Sequence, residues 1–228
     1  MPLNKLIKAM SFAWLAMFTL IANAQASLTA HQTVEKTTDR VMTLIEEANS
    51  YFSEDPDRFY QAIGQVLDDV VDFQSFARGV MGPYASKAFY DKLQTQEEKR
   101  AFRAQVMRFA DSFKEGLVHT YAKGLLAFGG TRVEIVPPKQ AETGRSATVL
   151  QKIYSDEGKA YEVYYKMRRD KRGYWKMRNV TIEAVNLGKV YQGQFLAAVK
   201  QYEGDINKVI ENWSVAPSGL EGAEKNPE

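Results

Sequence analysis

The residues able to do chemistry are few and poorly placed for it. The 228-residue chain has two histidines and no cysteine. His31 and His119 are far apart, and His31 lies near the start of the mature chain, so the spacing does not suggest a histidine-based metal site. With no cysteine there is no thiolate nucleophile and no disulfide framework. No serine sits in a Gly-x-Ser-x-Gly setting, and Gly129-Gly130 matches neither a P-loop nor a dinucleotide fingerprint. His119 shares a helical turn with apolar neighbours and reads as a packed or hydrogen-bonded histidine. Carboxylates remain. Asp68, Asp69 and Asp72 cluster where a helix end followed by an N-cap accounts for them. Glu183 stands between apolar positions of a strand, where a structural role is favoured over acid–base catalysis. No catalytic residue and no metal ligand is assigned, and the expectation is that the protein is not an enzyme.

The elements that position these groups read as follows. Asn4, Lys5 and Lys8 precede an apolar run, Ala9–Ile21, and the small residues of "ANAQA". This is the pattern of a secretory signal peptide, residues 1–26, cleaved after Ala24 or Ala26. The run is short of the roughly 18–20 residues that span a bilayer. Removing it takes away Lys5 and Lys8 and no acid, so the 30 basic and 28 acidic residues become 28 and 28. A near-neutral mature chain does not argue for nucleic acid. Export without cysteine predicts a free, soluble protein of an exported compartment.

Residues 27–213 read as a single domain. Val34, Thr38, Val41, Ile45, Ala48 and Phe52 share a helical face. Asp55-Pro56 opens a second helix carrying Phe59, Ile63, Val66, Leu67 and Val70. Asp72 caps a short helix through Met81, which Gly82-Pro83 ends. Thr95-Gln96-Glu97-Glu98 has capping-box form and opens a long helix to about Phe128. Four strands follow: around Val133 and Ile135; Ala147, Val149 and Ile153; Tyr161 to Met167; and Trp175–Val185. In the last, the apolar phase slips from odd positions (Trp175, Met177) to even ones (Val180, Ile182, Ala184), which predicts a β-bulge near Arg178–Asn179. Helices at about Lys189–Tyr202 and Asp205–Trp213 close the domain, and the polar stretch Ser214–Glu228 reads as a disordered tail. Helices gathered first, then an antiparallel sheet, mean an α+β fold: a helical N-terminal half on a curved four-stranded sheet.

One concentrated charge feature stands out. Lys166, Arg168, Arg169, Lys171, Arg172, Lys176 and Arg178 face only Asp170 in "KMRRDKRGYWKMR". It reads as a solvated hairpin, or as a docking patch for an acidic partner or for anionic head groups.

Three segments are more specific. "VDFQSFARGVMGPY", "HTYAKGLL" and "VTIEAVNLGKVYQGQF" occur in order after the signal peptide. They resemble the MlaC, or toluene-tolerance, family of periplasmic phospholipid carriers of Gram-negative bacteria. The resemblance covers nearly the whole mature chain and rests on Asp72, Phe73, Ala77, Arg78, Gly82 and Tyr84; on Thr120, Tyr121 and Ala122; and on Ile182, Glu183, Val185, Leu187, Tyr191 and Phe195. Ala184 stands where the family commonly has glycine, and Gln192 where it has arginine.

The resemblance implies that helices and sheet enclose lipid tails as cargo, with no cofactor. It implies shuttling between an outer-membrane lipoprotein–porin complex and an inner-membrane ABC transporter with its substrate-binding partner, which maintains outer-membrane lipid asymmetry. The protein is expected to be a monomer. The apolar positions expected to line the pocket are Phe76, Met81, Tyr84, Phe109, Phe113, Leu117 and Tyr121 from the helices. Val149, Val163, Tyr165, Val180, Ile182, Val185, Val190 and Tyr191 would add the sheet and the final corner. The competing reading is a non-enzymatic envelope adaptor with a filled core and a basic interaction hairpin. A lipid hydrolase would need an activated nucleophile that the chain does not offer.

Overall fold

Capping residues set the helix starts. In the computed structural model, which describes residues 28–127, 132–140, 142–155 and 158–215, helix α1 (Ala30–Ala48) begins at Thr29, in a capping box with Gln32. Asp55 caps α2 (Pro56–Val70) by accepting the Arg58 N–H. Asp72 caps α3 (Phe73–Met81) by accepting the Ser75 N–H at 2.9 Å. A 3₁₀ turn (Gly82–Ala85) and the short α4 (Lys87–Asp91) follow. The long α5 (Gln96–Ala127) opens on the expected reciprocal pair: the Thr95 hydroxyl accepts the Glu98 N–H and the Glu98 carboxylate accepts the Thr95 N–H. The signal peptide lies outside the described residues, as does all of the tail beyond Val215.

The sheet is an antiparallel meander in sequence order: β1 (Val133–Ile135), β2 (Ser146–Tyr154), β3 (Ala160–Arg169), β4 (Trp175–Ile182) and β5 (Val185–Asn186). The bulge is where the phase slip placed it. Lys166 faces Asn179 and Met167 faces Met177, which leaves Arg178 as the extra residue. Five strands replace the expected four. The fourth stops at Ile182 because Glu183 adopts φ 54, and the chain turns back so that Ile182 pairs with Val185 and Thr181 with Asn186. Glu183 is thus a turn residue. Its N–H donates to the Glu162 carbonyl and its carboxylate accepts the Glu162 N–H, both at 2.7 Å, so its role is to close that turn.

Helices α6 (Leu187–Gln201) and α7 (Ile206–Glu211) complete the fold. The start of α6 is held by two asparagines. Asn179 accepts the Gly188 N–H at 3.0 Å and donates to Asn186, whose side chain caps the helix at Lys189. The other margin of β4 is met by the α2–α3 connection, where Val71 bridges Met177 and the Asp72 N–H donates to the Met177 carbonyl at 2.8 Å.

Two apolar cores result. The larger joins α3, α5 and α6 to the sheet; the smaller packs Ile45, Ala48, Phe59, Ile63, Val118 and Ala122 between α1, α2 and α5. Packing continues past the expected boundary at Trp213. Val215 is buried against Gly116, where a Cβ would strike its side chain, and its carbonyl accepts the Thr120 hydroxyl.

Candidate functional site between sheet and long helix

Antiparallel register with period-2 alternation stacks inward-facing side chains into rows. One row runs Ile135, Gln151, Val163, Ile182, Val185 across all five strands. The next runs Val149, Tyr165, Val180, and a third runs Ala147, Met167, Met177. The six sheet and corner positions expected to line a pocket, Val149, Val163, Tyr165, Val180, Ile182 and Val185, therefore fall in two adjacent rows of one face.

The helical positions divide into two groups. Phe109 and Phe113 of α5, Phe76 and Met81 of α3 and Tyr191 of α6 are buried. Ring contacts link them: Phe76–Phe113 and Phe113–Tyr191 at 5.2 Å, Phe109–Phe195 at 4.9 Å and Phe109–Trp213 at 5.1 Å between centroids. These rings form a closely packed floor. Phe195 and Trp213 belong to it and were not among the expected residues, although Phe195 lies one turn beyond Tyr191 on the same helix. Tyr84, Leu117, Tyr121 and Val190 are only half-buried, as are Tyr165, Val180, Ile182 and Val185 on the sheet. The Tyr121 and Tyr191 hydroxyls meet at 2.5 Å and tie α5 to α6 at the edge of the floor.

Tyr165 is the most informative of these. It sits deep enough that loss of solvent pushes its phenol well above the ordinary tyrosine value. It still keeps accessible surface. Its neighbours in the same two rows, Val180, Ile182 and Val185, are likewise only half-buried.

Beside Tyr165 lies Gln151, 4% exposed and the one buried polar or charged residue among the described residues. The Tyr165 hydroxyl donates to Gln151 Oε1 at 2.5 Å, and Gln151 Nε2 donates to Thr38 Oγ1 at 2.9 Å. This chain of bonds fastens α1 over the sheet. A glutamine at an odd position between Val149 and Ile153 was the available sequence signal. Thr38 and Ile135 also line a cleft of about 310 Å³ between α1 and β1, together with Glu35, Asp39, Met42 and Val133. The cleft thus reaches the outer end of the Gln151 row.

The titratable groups have structural partners. Glu142, in the β1–β2 connection, accepts the Ala30 N–H at 2.6 Å, the His31 N–H at 3.0 Å and a bond from His31 Nδ1. Burial pushes its carboxyl pKa up, but these three bonds prevail and hold it below the ordinary value. His119 packs its ring on Tyr60, centroids 4.6 Å apart. Among the described residues no three His, Cys, Asp or Glu side chains come together to hold a metal ion.

The basic residues of the β3–β4 hairpin are dispersed. Arg169 lies over the Trp175 ring at 4.7 Å and donates to the Gly173 carbonyl. Lys176 donates to the Asp68 and Asp69 carbonyls at the end of α2, and Arg178 pairs with Asp72 at 2.9 Å. Lys166, Arg168, Lys171 and Arg172 remain exposed.

A family model described as MlaC protein matches residues 35–215. The chain belongs to the MlaC family. It is 27% identical over 215 residues, 94% of this chain and 93% of the relative, to toluene tolerance protein Ttg2D of Pseudomonas putida. Its fold is shared with the phospholipid-binding protein from Ralstonia solanacearum, a structure solved in complex with a phospholipid. The TM-score is 0.66 at 21% identity, over 81% of this chain and 94% of the other. As an MlaC protein the chain departs at Gln192, whose Nε2 donates to the Gly79 carbonyl at 2.9 Å. That side chain presses so closely on Gly82, at φ 56, that a Cβ there would lie 2.8 Å from Nε2.

Proposed function

We propose that this chain is a soluble periplasmic phospholipid carrier, without enzymatic activity or cofactor. Acyl chains lie between the inward face of the sheet and α5, with Val180, Ile182, Val185, Leu117 and Tyr121 as walls and the aromatic cluster as floor. The observation that carries the reading is the inward face of the sheet, where Tyr165, Val180, Ile182 and Val185 stand in two adjacent apolar rows and remain only half-buried. Apolar surface left accessible inside a domain is costly unless something apolar occupies it. The MlaC family and the phospholipid held by the Ralstonia solanacearum relative point the same way.

The physics favours a carrier over free diffusion. A diacyl lipid with about 28 chain methylenes costs on the order of 20 kcal/mol to expose to water, at about 0.8 kcal/mol per methylene. A bilayer shelters the tails as well as a pocket does, so transfer from membrane to carrier gains little. Uptake and release are then decided at docked partners: an outer-membrane lipoprotein–porin complex, and an inner-membrane ABC transporter with its substrate-binding partner. Fast, unassisted extraction from pure lipid vesicles would contradict this part of the reading.

A second reading, an envelope adaptor with a filled core, is favoured by the closely packed rings of Phe109, Phe113, Phe195 and Trp213. One experiment separates the two. Native mass spectrometry of the protein, purified from a periplasm without detergent, is followed by extraction and lipid identification. Stoichiometric phospholipid is expected. A clean lipid-free mass, with stability unchanged by delipidation, overturns the carrier reading in favour of the adaptor.

A further inference from the structure

The outer face of the sheet is as polar as the inner face is apolar, and its charges are sorted along the strands. Register places Ser146 opposite Arg168 and Arg168 opposite Lys176, with Thr148 opposite Lys166 in the row behind. Arg145, in the connection just before β2, is exposed. Ser146, Thr148, Lys166, Arg168 and Arg178, with Ala147 and Met167, line an open cleft of about 420 Å³ at this end of the strands. Toward the other end of the strands the acids collect: Glu162, opposite Lys152, and Glu183, which is bonded to the Glu162 backbone.

At the hairpin tip, Asp170 spends its carboxylate on the Arg172 and Tyr174 N–H groups, at 2.8 and 2.9 Å, and on the Arg172 side chain. It therefore does little to neutralise Lys171, Lys166, Arg168 or Arg145, none of which has an acidic partner among the described residues. Tyr174 projects at the same tip, 58% exposed, with the Arg172 guanidinium 5.4 Å from its ring centroid.

We infer that this face, Lys166 and Arg168 with the Lys171–Tyr174 tip, docks on the surface of an anionic phospholipid bilayer. The inference rests on the carrier reading for its purpose, since a carrier must come to the membrane plane to trade lipid. Its physical basis is separate. Cations on long stems beside hydroxyls match a plane of phosphate groups, and their attraction is additive and needs no fixed partner geometry. Tyrosine suits the boundary between head groups and chains, where its ring is sheltered and its hydroxyl stays wet. A protein partner would instead be held by apolar or aromatic anchors seated in desolvated pockets. At the hairpin end of this face the exposed residues are Lys166, Arg168, Ser146 and Thr148; Leu150, Tyr154 and Tyr164, farther along the strands, keep only part of their surface, and the one large exposed hydrophobic residue is at the tip.

Cosedimentation of the full mature chain with vesicles tests it. Vesicles of phosphatidylcholine alone are compared with vesicles containing phosphatidylglycerol. Binding is expected only to the anionic vesicles, and is expected to vanish in about 1 M salt, where the Debye length falls to about 3 Å. Lys166→Glu with Arg168→Glu should lower partitioning at least about 25-fold, at about fivefold for each cation removed. Tyr174→Ser should weaken it further at fixed charge. The double reversal Lys92→Glu with Lys200→Glu changes net charge equally on exposed helical positions and should retain most of the binding. Bound lipid is measured by mass in every variant, so loss of docking with cargo retained is distinguished from failure of the carrier. Absence of binding to anionic vesicles at low salt overturns the inference. So does binding indifferent to the Lys166 and Arg168 reversal. Delivery to an acidic protein acceptor that is impaired by the same reversal, without vesicle binding, would assign the face to that protein instead.

Discussion

Gln151 of β2 and Tyr165 of β3 are joined side chain to side chain across the inward face of the sheet, and the same glutamine reaches Thr38 on α1. One buried amide thus holds both a helix and a tyrosine of the sheet's inward face. Gln151→Leu leaves the Tyr165 hydroxyl without its acceptor and is expected to destabilise the fold by about 1–3 kcal/mol, because an orphaned buried polar group costs its full desolvation. Adding Tyr165→Phe should recover part of that loss, since removing both partners is less costly than removing one. Urea unfolding of the two variants measures it. Equal or additive losses would show that the bond contributes nothing.

Ile182 and Phe113 should answer oppositely to changes in size. Ile182 is half-buried on the inward face of the sheet; on the carrier reading it borders the lipid, so Ile182→Trp is expected to change stability by less than about 1 kcal/mol while lowering the bound phospholipid. A position already filled would instead lose about 1–3 kcal/mol by overpacking. Phe113, fully buried between Phe76, Phe109 and Tyr191, should lose about 3–5 kcal/mol on truncation to alanine. Denaturation midpoints and bound-lipid mass, measured on the same preparations, read both effects.

The clasp at the start of α1 sets a pH dependence. The folded-state pKa of Glu142 lies below the ordinary carboxylate value of 4.5, so folding favours its ionised form. The stability it supplies is complete above the unfolded-chain value and is lost as the pH falls through the folded one. Glu142→Gln should therefore melt below the native protein at neutral pH, and the two melting temperatures should converge as the pH falls below the ordinary carboxylate value of 4.5 and through the lower folded-state one. A gap that persists unchanged through that range would mean that the carboxylate charge does not matter.

Much of this architecture was legible because it rests on local rules. The Thr95–Glu98 box, the Asp55-Pro56 start and the Asp72 cap are short-range hydrogen-bond chemistry written in adjacent residues. The bulge at Arg178 announced itself because an extra residue inverts the apolar phase of everything after it. The turn at Glu183 did not. No glycine or asparagine marks its positive φ; what holds it is the long-range pairing with Glu162. The partners of the basic cluster were hidden for a related reason. Proximity in sequence does not say that Arg178 will meet Asp72, or that Lys176 will cap a helix more than a hundred residues away in the chain. Apolar periodicity likewise marked Phe109 and Ile182 alike as inward-facing. Whether a ring is packed or a side chain borders space depends on what stands opposite, and that is settled only in three dimensions.

The contact between Val71 and Met177 also bears on how such a protein survives in a crowded compartment. β4 is met along one margin by Val71 and Asp72 near its beginning and by β5 at its end, while β1, at the other side of the sheet, is three residues long. Along this margin of β4 little is left of a run of unsatisfied backbone groups that a second chain could extend. On the carrier reading, a molecule that exposes a greasy interior when it loads or unloads would be an aggregation hazard if its strands could also template one another. Covering this margin removes one such route.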